Sequence, residues 1–188
     1  PDTSRALHVS DIHLNPNAWP VMAPTIEKYD IDVVIDTGDI ADQGTAVENT
    51  LLDPIETLGV PYVYIRGNHD SSGTQAYIAA MDNAVVLDGQ AAEVAGLVIA
   101  GVGDPRFTPD KSTEPTDEAV VASGERLAAV VEASEDQVDV ALVHDPVGAE
   151  PLGGVVPLVL AGHVHERQDE ELGELTQLLV QGSTGGAG

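Results

Sequence analysis

The chain contains no cysteine, so disulfide bonds and thiolate metal sites are both excluded. Basic residues are nearly absent. Two lysines (Lys28 and Lys111) and five arginines face 32 acidic residues, giving a formal net charge of −25. A surface of that sign repels nucleic acid and anionic lipid, so no nucleic-acid partner is expected. No long hydrophobic run is present either. The longest apolar stretch, residues 151–162, is too short to span a bilayer and is broken by glycines. Aromatic residues make up only 3% of the chain, which predicts a core built from Val, Leu, Ile and Ala. The sequence begins without Met and carries no signal-peptide pattern. That fits a soluble cytoplasmic protein, or a soluble piece of a longer and even membrane-anchored one.

What is there suffices for one ordinary domain: 188 residues, 43% of them hydrophobic. No repeat or linker divides the chain, so residues 1–188 read as a single domain with a loose, glycine-rich tail over 182–188. Short Val- and Ile-rich runs predict strands at 6–10, 33–37, 62–66, 97–102, 138–143 and 158–161. Weaker strands at 85–87 and 92–94 suggest a meander, and 175–181 suggests one more strand. Helices are predicted over 19–29, 46–58, 74–81 and 117–133. Thr116 reads as the cap of the last, with Asp117 and Glu118 in its first turn. Alternating strands and helices predict an α/β protein with a largely parallel sheet in its early part.

Five of the six histidines follow predicted strands and lie beside Asp, Asn or Gly. Ser10-Asp11-Ile12-His13 follows the first strand, Gly38-Asp39 the second and Gly67-Asn68-His69-Asp70 the third. His144-Asp145 follows the fifth, and Gly162-His163-Val164-His165 the sixth. Crossover connections bring the carboxyl ends of parallel strands to one edge, where ligands collect. Imidazole nitrogens with carboxylate or amide oxygens suit divalent Mn, Fe, Zn or Ni. Two such ions about 3.5–4 Å apart can activate water and clamp phosphoryl oxygens. Asp11-x-His13 and His163-x-His165 each read as a short extended turn whose alternate side chains converge. Glycines before Asp39, Asn68 and His163 allow tight turns and close backbone approach.

The ordered series Asp-x-His, Gly-Asp, Gly-Asn-His-Asp, His and Gly-His-x-His resembles the calcineurin-like metallophosphoesterase superfamily, over most of the chain from Asp11 to His165. The resemblance implies a four-layer fold, a two-sheet β-sandwich flanked by helices, and a phosphoric ester hydrolase holding two divalent transition-metal ions. It implies that Asp11, His13, Asp39 and His165 hold one ion and that Asp39, Asn68, His144 and His163 hold the other, with Asp39 as bridge. His69 would assist departure of the leaving oxygen, and Asp42 would orient His69. Asn68 and Arg66 would face the substrate.

Two departures stand out. Protein phosphatases of the superfamily carry Asp-Arg-Gly where this chain reads Asp42-Gln43-Gly44, which counts against that branch. The chain also stops soon after His165, where relatives usually have more β-structure. Other polar residues read more plainly. His8 lies inside a strand and fits a packed, hydrogen-bonded role. Arg66 either contacts phosphate or neutralises neighbouring acids, whereas Arg106 and Arg167 fit pairing with acidic groups. Asp70 fits a turn-fixing role, and Asp145 either supports a ligand or is solvated. Trp19 fits core packing, and the acidic runs 132–136 and 169–174 fit solvated faces. The implied substrate is a small phosphomonoester or phosphodiester. The alternatives are a catalytically weak protein-binding scaffold of the same fold and a metal-dependent nuclease, the latter disfavoured by the missing basic stripe.

Overall fold

Period-two alternation in the early strands sends neighbouring side chains to opposite faces, and here both faces are covered. The computed structural model describes residues 3–106 and 116–186. Strands β1 (Ala6–Val9), β2 (Val33–Asp36), β3 (Tyr62–Tyr64) and β4 (Ala84–Val86) form a parallel sheet in that order. A second sheet holds β5 (Gln90–Val94), β6 (Leu97–Gly101), β7 (Val140–Leu142), β8 (Leu158–Ala161), β9 (Gln168–Leu172) and β10 (Thr176–Val180). Its order is β5-β6-β7-β8-β10-β9, parallel from β6 to β10 with antiparallel edge strands β5 and β9.

Val33, Ile35, Val63 and Ile65 of the first sheet meet Ile99, Val140, Leu142 and Leu160 of the second. The opposite face of the first sheet, with Val34, Tyr62 and Tyr64, packs on helix residues Met22, Ile26 and Ile78. These belong to α1 (Ala18–Tyr29) and α3 (Ser72–Ala79). The outer face of the second sheet packs on Leu127 and Val131 of α4 (Asp117–Glu132). Helix, sheet, sheet, helix: the four layers implied by the resemblance are present. Each large aliphatic side chain sealed between them contributes about 1.5–3 kcal/mol through burial.

Several expectations change. Residues 46–58 do not form one helix. A capping box at Thr45 and Glu48 starts the short helix α2 (Ala46–Asn49), and a 3-10 turn follows over Asp53–Thr57. Pro54, in the first turn of that segment, has no N–H to continue an α-helical ladder. The expected meander is split, because β4 joins the first sheet while β5 pairs with β6 in the second. Thr116 occupies the cap position of α4, yet its hydroxyl donates to Glu118 Oε2 and makes no cap bond to the backbone. The acidic run from 169 is solvated as expected, but it is also strand β9; its charged side chains protect an exposed sheet edge from further pairing. Aliphatic residues dominate the core, but the fully buried Tyr62 and Tyr64 share it, their hydroxyls donating to Asp36 Oδ2 at 2.5 Å and Asp70 Oδ2 at 2.8 Å.

Asp70 ties together the turns after β2 and β3. Its carboxylate accepts the N–H groups of Asp39 (2.9 Å), Ala41 (2.9 Å) and Gly67 (2.8 Å) as well as the Tyr64 hydroxyl. Burial and the Asp39 charge push its pKa up, against the pull of those donors. Close approach of the two turns also needs glycine: a Cβ on Gly38, whose φ is +102°, would sit 2.5 Å from Gly67 N.

Asp70→Asn sets an NH₂ group against one of these N–H donors. It should cost about 1–3 kcal/mol for the donor left unsatisfied, read as a lowered urea midpoint; an unchanged midpoint would refute the clamp. A second prediction concerns His8, whose Nε2 lies 3.0 Å from Thr37 Oγ1 and whose pKa burial lowers to about 3. Below its ordinary pKa the unfolded chain takes up a proton that the folded chain refuses. Stability contributed by neutral His8 is therefore present above pH 6.5 and is lost as pH falls toward 3, by up to about 1.4 kcal/mol per unit. His8→Gln should flatten the fall in urea midpoint between pH 7 and pH 5, and parallel curves for variant and parent would exclude His8 as its source.

Candidate metal centre

The turns after β1, β2 and β3 of one sheet and after β7 and β8 of the other meet where the carboxyl ends of the two sheets come together. Backbone bonds join them: Asp11 N donates to Gly38 O at 2.9 Å and His13 N to Asp39 O at 3.0 Å. Across the sheets, His163 N donates to Asp11 Oδ2 at 3.0 Å, and His144 Nδ1 lies 2.7 Å from Thr37 O.

The expected extended turns are absent. Asp11 (φ 52°), His13 (48°), Asp39 (58°), His163 (70°) and His165 (57°) all adopt the left-handed conformation. This backbone region costs an L-residue roughly 1–2 kcal/mol, and such strain persists only where the surroundings over-determine it. Here the cross-turn hydrogen bonds do so. In this geometry consecutive turns curl inward, so convergence comes from turn curvature and not from strand alternation.

All seven expected ligand residues come together. Asp11, His13 and His165 form one group of potential ligands, and Asp39, His144 and His163 another; within each, the ligand atoms lie within 4.8 Å of one another. His165 Nε2 is 3.3 Å from Asp11 Oδ1, and His144 Nε2 is 3.3 Å from Asp39 Oδ2 and 3.0 Å from Asn68 Oδ1. Asp39 Oδ2 is also 3.9 Å from His13 Nε2, so one carboxylate reaches toward both groups. Asp11 Oδ1 and His13 Nε2 are buried with no hydrogen-bond partner among the described residues. Buried polar atoms are normally satisfied, and a cation would satisfy both of these. The nitrogen and oxygen donor set fits Mn, Fe, Zn or Ni.

The supporting contacts orient the imidazoles. Thr37 O fixes His144 so that Nε2 faces Asp39. The Asp42 carboxylate lies 3.0 Å from His13 Nδ1, giving the carboxylate–histidine pairing common around metal ligands. That corrects the expected role of Asp42. Its carboxylate serves His13, and it is its backbone carbonyl that lies 2.9 Å from His69 Nδ1. Of the two readings for Arg66, its contacts favour the acid-neutralising one: it is buried, with Nη1 bound to Gln75 Oε1 and 3.5 Å from Asp88 Oδ2. Among protein charges alone, burial works against a protonated His144, but Asp39, Asp11 and Asp104 outweigh it and raise its pKa to about 10. Burial also opposes ionisation of Asp39, yet the charge of His144 holds its carboxyl far below the usual range. Burial and then that same charge push His163 down.

Sequence reasoning missed two contributors, Thr37 and the segment near the end, and left a third, Asp145, open between supporting a ligand and being solvated. Thr37 acts through its carbonyl, which no side-chain pattern reveals. Asp145 is buried, with Oδ2 3.4 Å from His163 Nε2 and 2.6 Å from Arg106 Nη2. The segment near the end is the one expected to be a loose tail. Residues 183–186 are docked on the first turn: Ser183 Oγ donates to Asp11 O at 2.8 Å and Thr184 N to Ser10 O at 2.9 Å. Asn15 Nδ2 also donates to Gly185 O. The glycines let the chain lie flat against the Ile12 carbonyl, where a Cβ on Gly185 would collide. Residues 187–188 lie outside the described part.

The same architecture occurs in solved structures of low sequence identity. TT1561 of Thermus thermophilus superposes with a TM-score of 0.76 at 16% identity, over 97% of this chain and 91% of that one. A dimetal phosphatase from Danio rerio gives 0.63 at 11%, over 97% and 88%. An archaeal phosphodiesterase gives 0.58 at 14%, over 96% and 85%. No curated protein sequence matches the chain. The profile of the calcineurin-like phosphoesterase family matches residues 4–167, which span every turn of the centre. With that match, the chain belongs to the calcineurin-like phosphoesterase family.

Proposed function

We propose that this protein hydrolyses small, soluble phosphate esters with two divalent metal ions. The observation that carries the reading is the position of Asp39, whose Oδ2 lies within 3.9 Å of an imidazole from each ligand group. Asp11, His13 and His165 would hold one ion, and His144, His163 and Asn68 the other, with Asp39 shared. Two ions so held supply Lewis acidity toward phosphoryl oxygens and a lowered pKa for water.

The remaining work falls to the protein. Asp39 Oδ1 accepts the His69 N–H at 2.8 Å and so fixes that residue beside the ligand groups. The His69 ring stands edge-on to the His13 ring with centroids 5.1 Å apart. With Nδ1 donating to the Asp42 carbonyl, any proton the ring gives to a leaving oxygen comes from Nε2. The net charge of −25 favours a small ester over an anionic polymer, because only a local cationic centre offsets the repulsion. No helix among the described residues is long and apolar enough to cross a membrane.

A screen of the Mn²⁺-loaded protein against bis-p-nitrophenyl phosphate, p-nitrophenyl phosphate and cyclic nucleotides tests the reading. Turnover of at least one is expected, and inactivity toward all would favour a binding scaffold. Asp39→Asn should lower occupancy at both metal positions in elemental analysis, while two ions per chain in that variant would exclude the shared carboxylate. His69→Ala should keep its metals and slow turnover by roughly 10²–10⁴, the range for a general acid; parent-like turnover would remove His69 from the reaction.

A further inference from the structure

We propose that Arg106 grips the phosphate of the ester at this centre, presented there by Asp104 and Asp145. The inference rests on the reading of the centre as a phosphate site. Arg106 follows the end of β6, a strand whose turn none of the metal-ligand motifs includes. Asp104 Oδ1 accepts both its backbone N–H at 2.8 Å and its Nε at 3.0 Å, and Asp104 Oδ2 accepts Nη2 at 2.7 Å. Nη2 also donates to Asp145 Oδ2 at 2.6 Å. Both carboxylates are buried, so the guanidinium plane is fixed before any ligand arrives.

Position and spare capacity together distinguish this arginine from a purely structural ion pair. Asp145 Oδ2 is shared between Arg106 Nη2 and His163 Nε2, at 2.6 and 3.4 Å, so a single oxygen atom separates the guanidinium from a metal-ligand imidazole. The carboxylates engage Nε and Nη2 only. Nη1 and its two N–H groups bond to no described residue, and the side chain keeps 19% of its surface accessible. Arg66, by contrast, is bound to Gln75 and Asp88. A phosphate approaching a chain of charge −25 gains most from a fixed cation beside the centre whose Nη1 no described residue engages. Arg106 also offsets Asp145, a carboxylate that would otherwise repel that phosphate.

The test measures binding of inorganic phosphate to the Mn²⁺-loaded full chain by calorimetry, with metal content read by elemental analysis on the same samples. The parent should bind phosphate, and Arg106→Gln should weaken that binding by roughly 10- to 100-fold, the worth of one charge-assisted hydrogen bond from Nη1, with metal content unchanged. Arg106→Lys, which keeps the charge and loses the fork onto Asp104 that fixes it in place, should fall between. An unchanged affinity in Arg106→Gln overturns the proposal, as does metal loss that parallels the loss of phosphate, which would make Arg106 a support for Asp145 and His163 alone. If Arg106→Gln does not fold, Arg106→Lys decides: parent-like phosphate affinity overturns the proposal and a weakened one supports it. A parent that binds no phosphate also overturns it. Phosphate binding without hydrolysis of any ester would remove the proposed activity and leave the Arg106 assignment standing.

Discussion

Four carboxylates, those of Asp11, Asp36, Asp39 and Asp70, are buried at the strand ends of one small sheet, and the structure depends on how each is compensated. An unpaired charge in such a place is costly enough that it must find partners or take up a proton. Asp36 answers with the Tyr62 hydroxyl and the Gly38 N–H, and burial still drives its pKa well up. Asp70 spends both oxygens on backbone N–H groups and the Tyr64 hydroxyl, and so becomes a clamp. Asp11 and Asp39 instead face imidazoles. Two of the acids build the walls, and the other two are left able to take a cation.

That division links stability to chemistry. The left-handed backbone at five candidate ligand residues is unfavourable in isolation, and the clamp and the cross-turn bonds hold it in place. Each group of candidate ligands draws on both sheets. β1 supplies Asp11 and His13, whereas β7 and β8 supply His144, His163 and His165. The interface of Val, Ile and Leu side chains that locks one sheet on the other therefore also brings the members of each group together. Segment 183–186 fastens the Asp11 turn from outside, so the end of the described chain takes part in positioning a ligand that lies near its start.

The acidic surface and the cation-seeking interior are complementary. Repulsion over most of the molecule leaves favourable ground for an anion only where fixed positive charge is concentrated. Arg106 contributes there through its place in the fold. Two buried aspartates hold its guanidinium, one of which also borders His163.

The amino-acid sequence by itself determined the α/β class, the main strand positions and which Asp, Asn and His residues were candidates for one site. Val- and Ile-rich runs ending in Gly, Asp and His carry that information locally, and the order of the motifs pointed to the family. Tertiary structure alone decided which groups the supporting residues serve. Asp42 turned out to lie against His13, whose turn is joined to that of Asp39 by the bond from His13 N to Asp39 O. The acidic segment of β9 became a strand because β10 offered it a backbone ladder, and local propensity opposes that outcome. Arg106 pairs with acidic groups as its sequence reading had it, but its second partner, Asp145, lies 39 residues away, and Ser183 meets Asp11 across 172 residues; only packing brings such distant groups into contact.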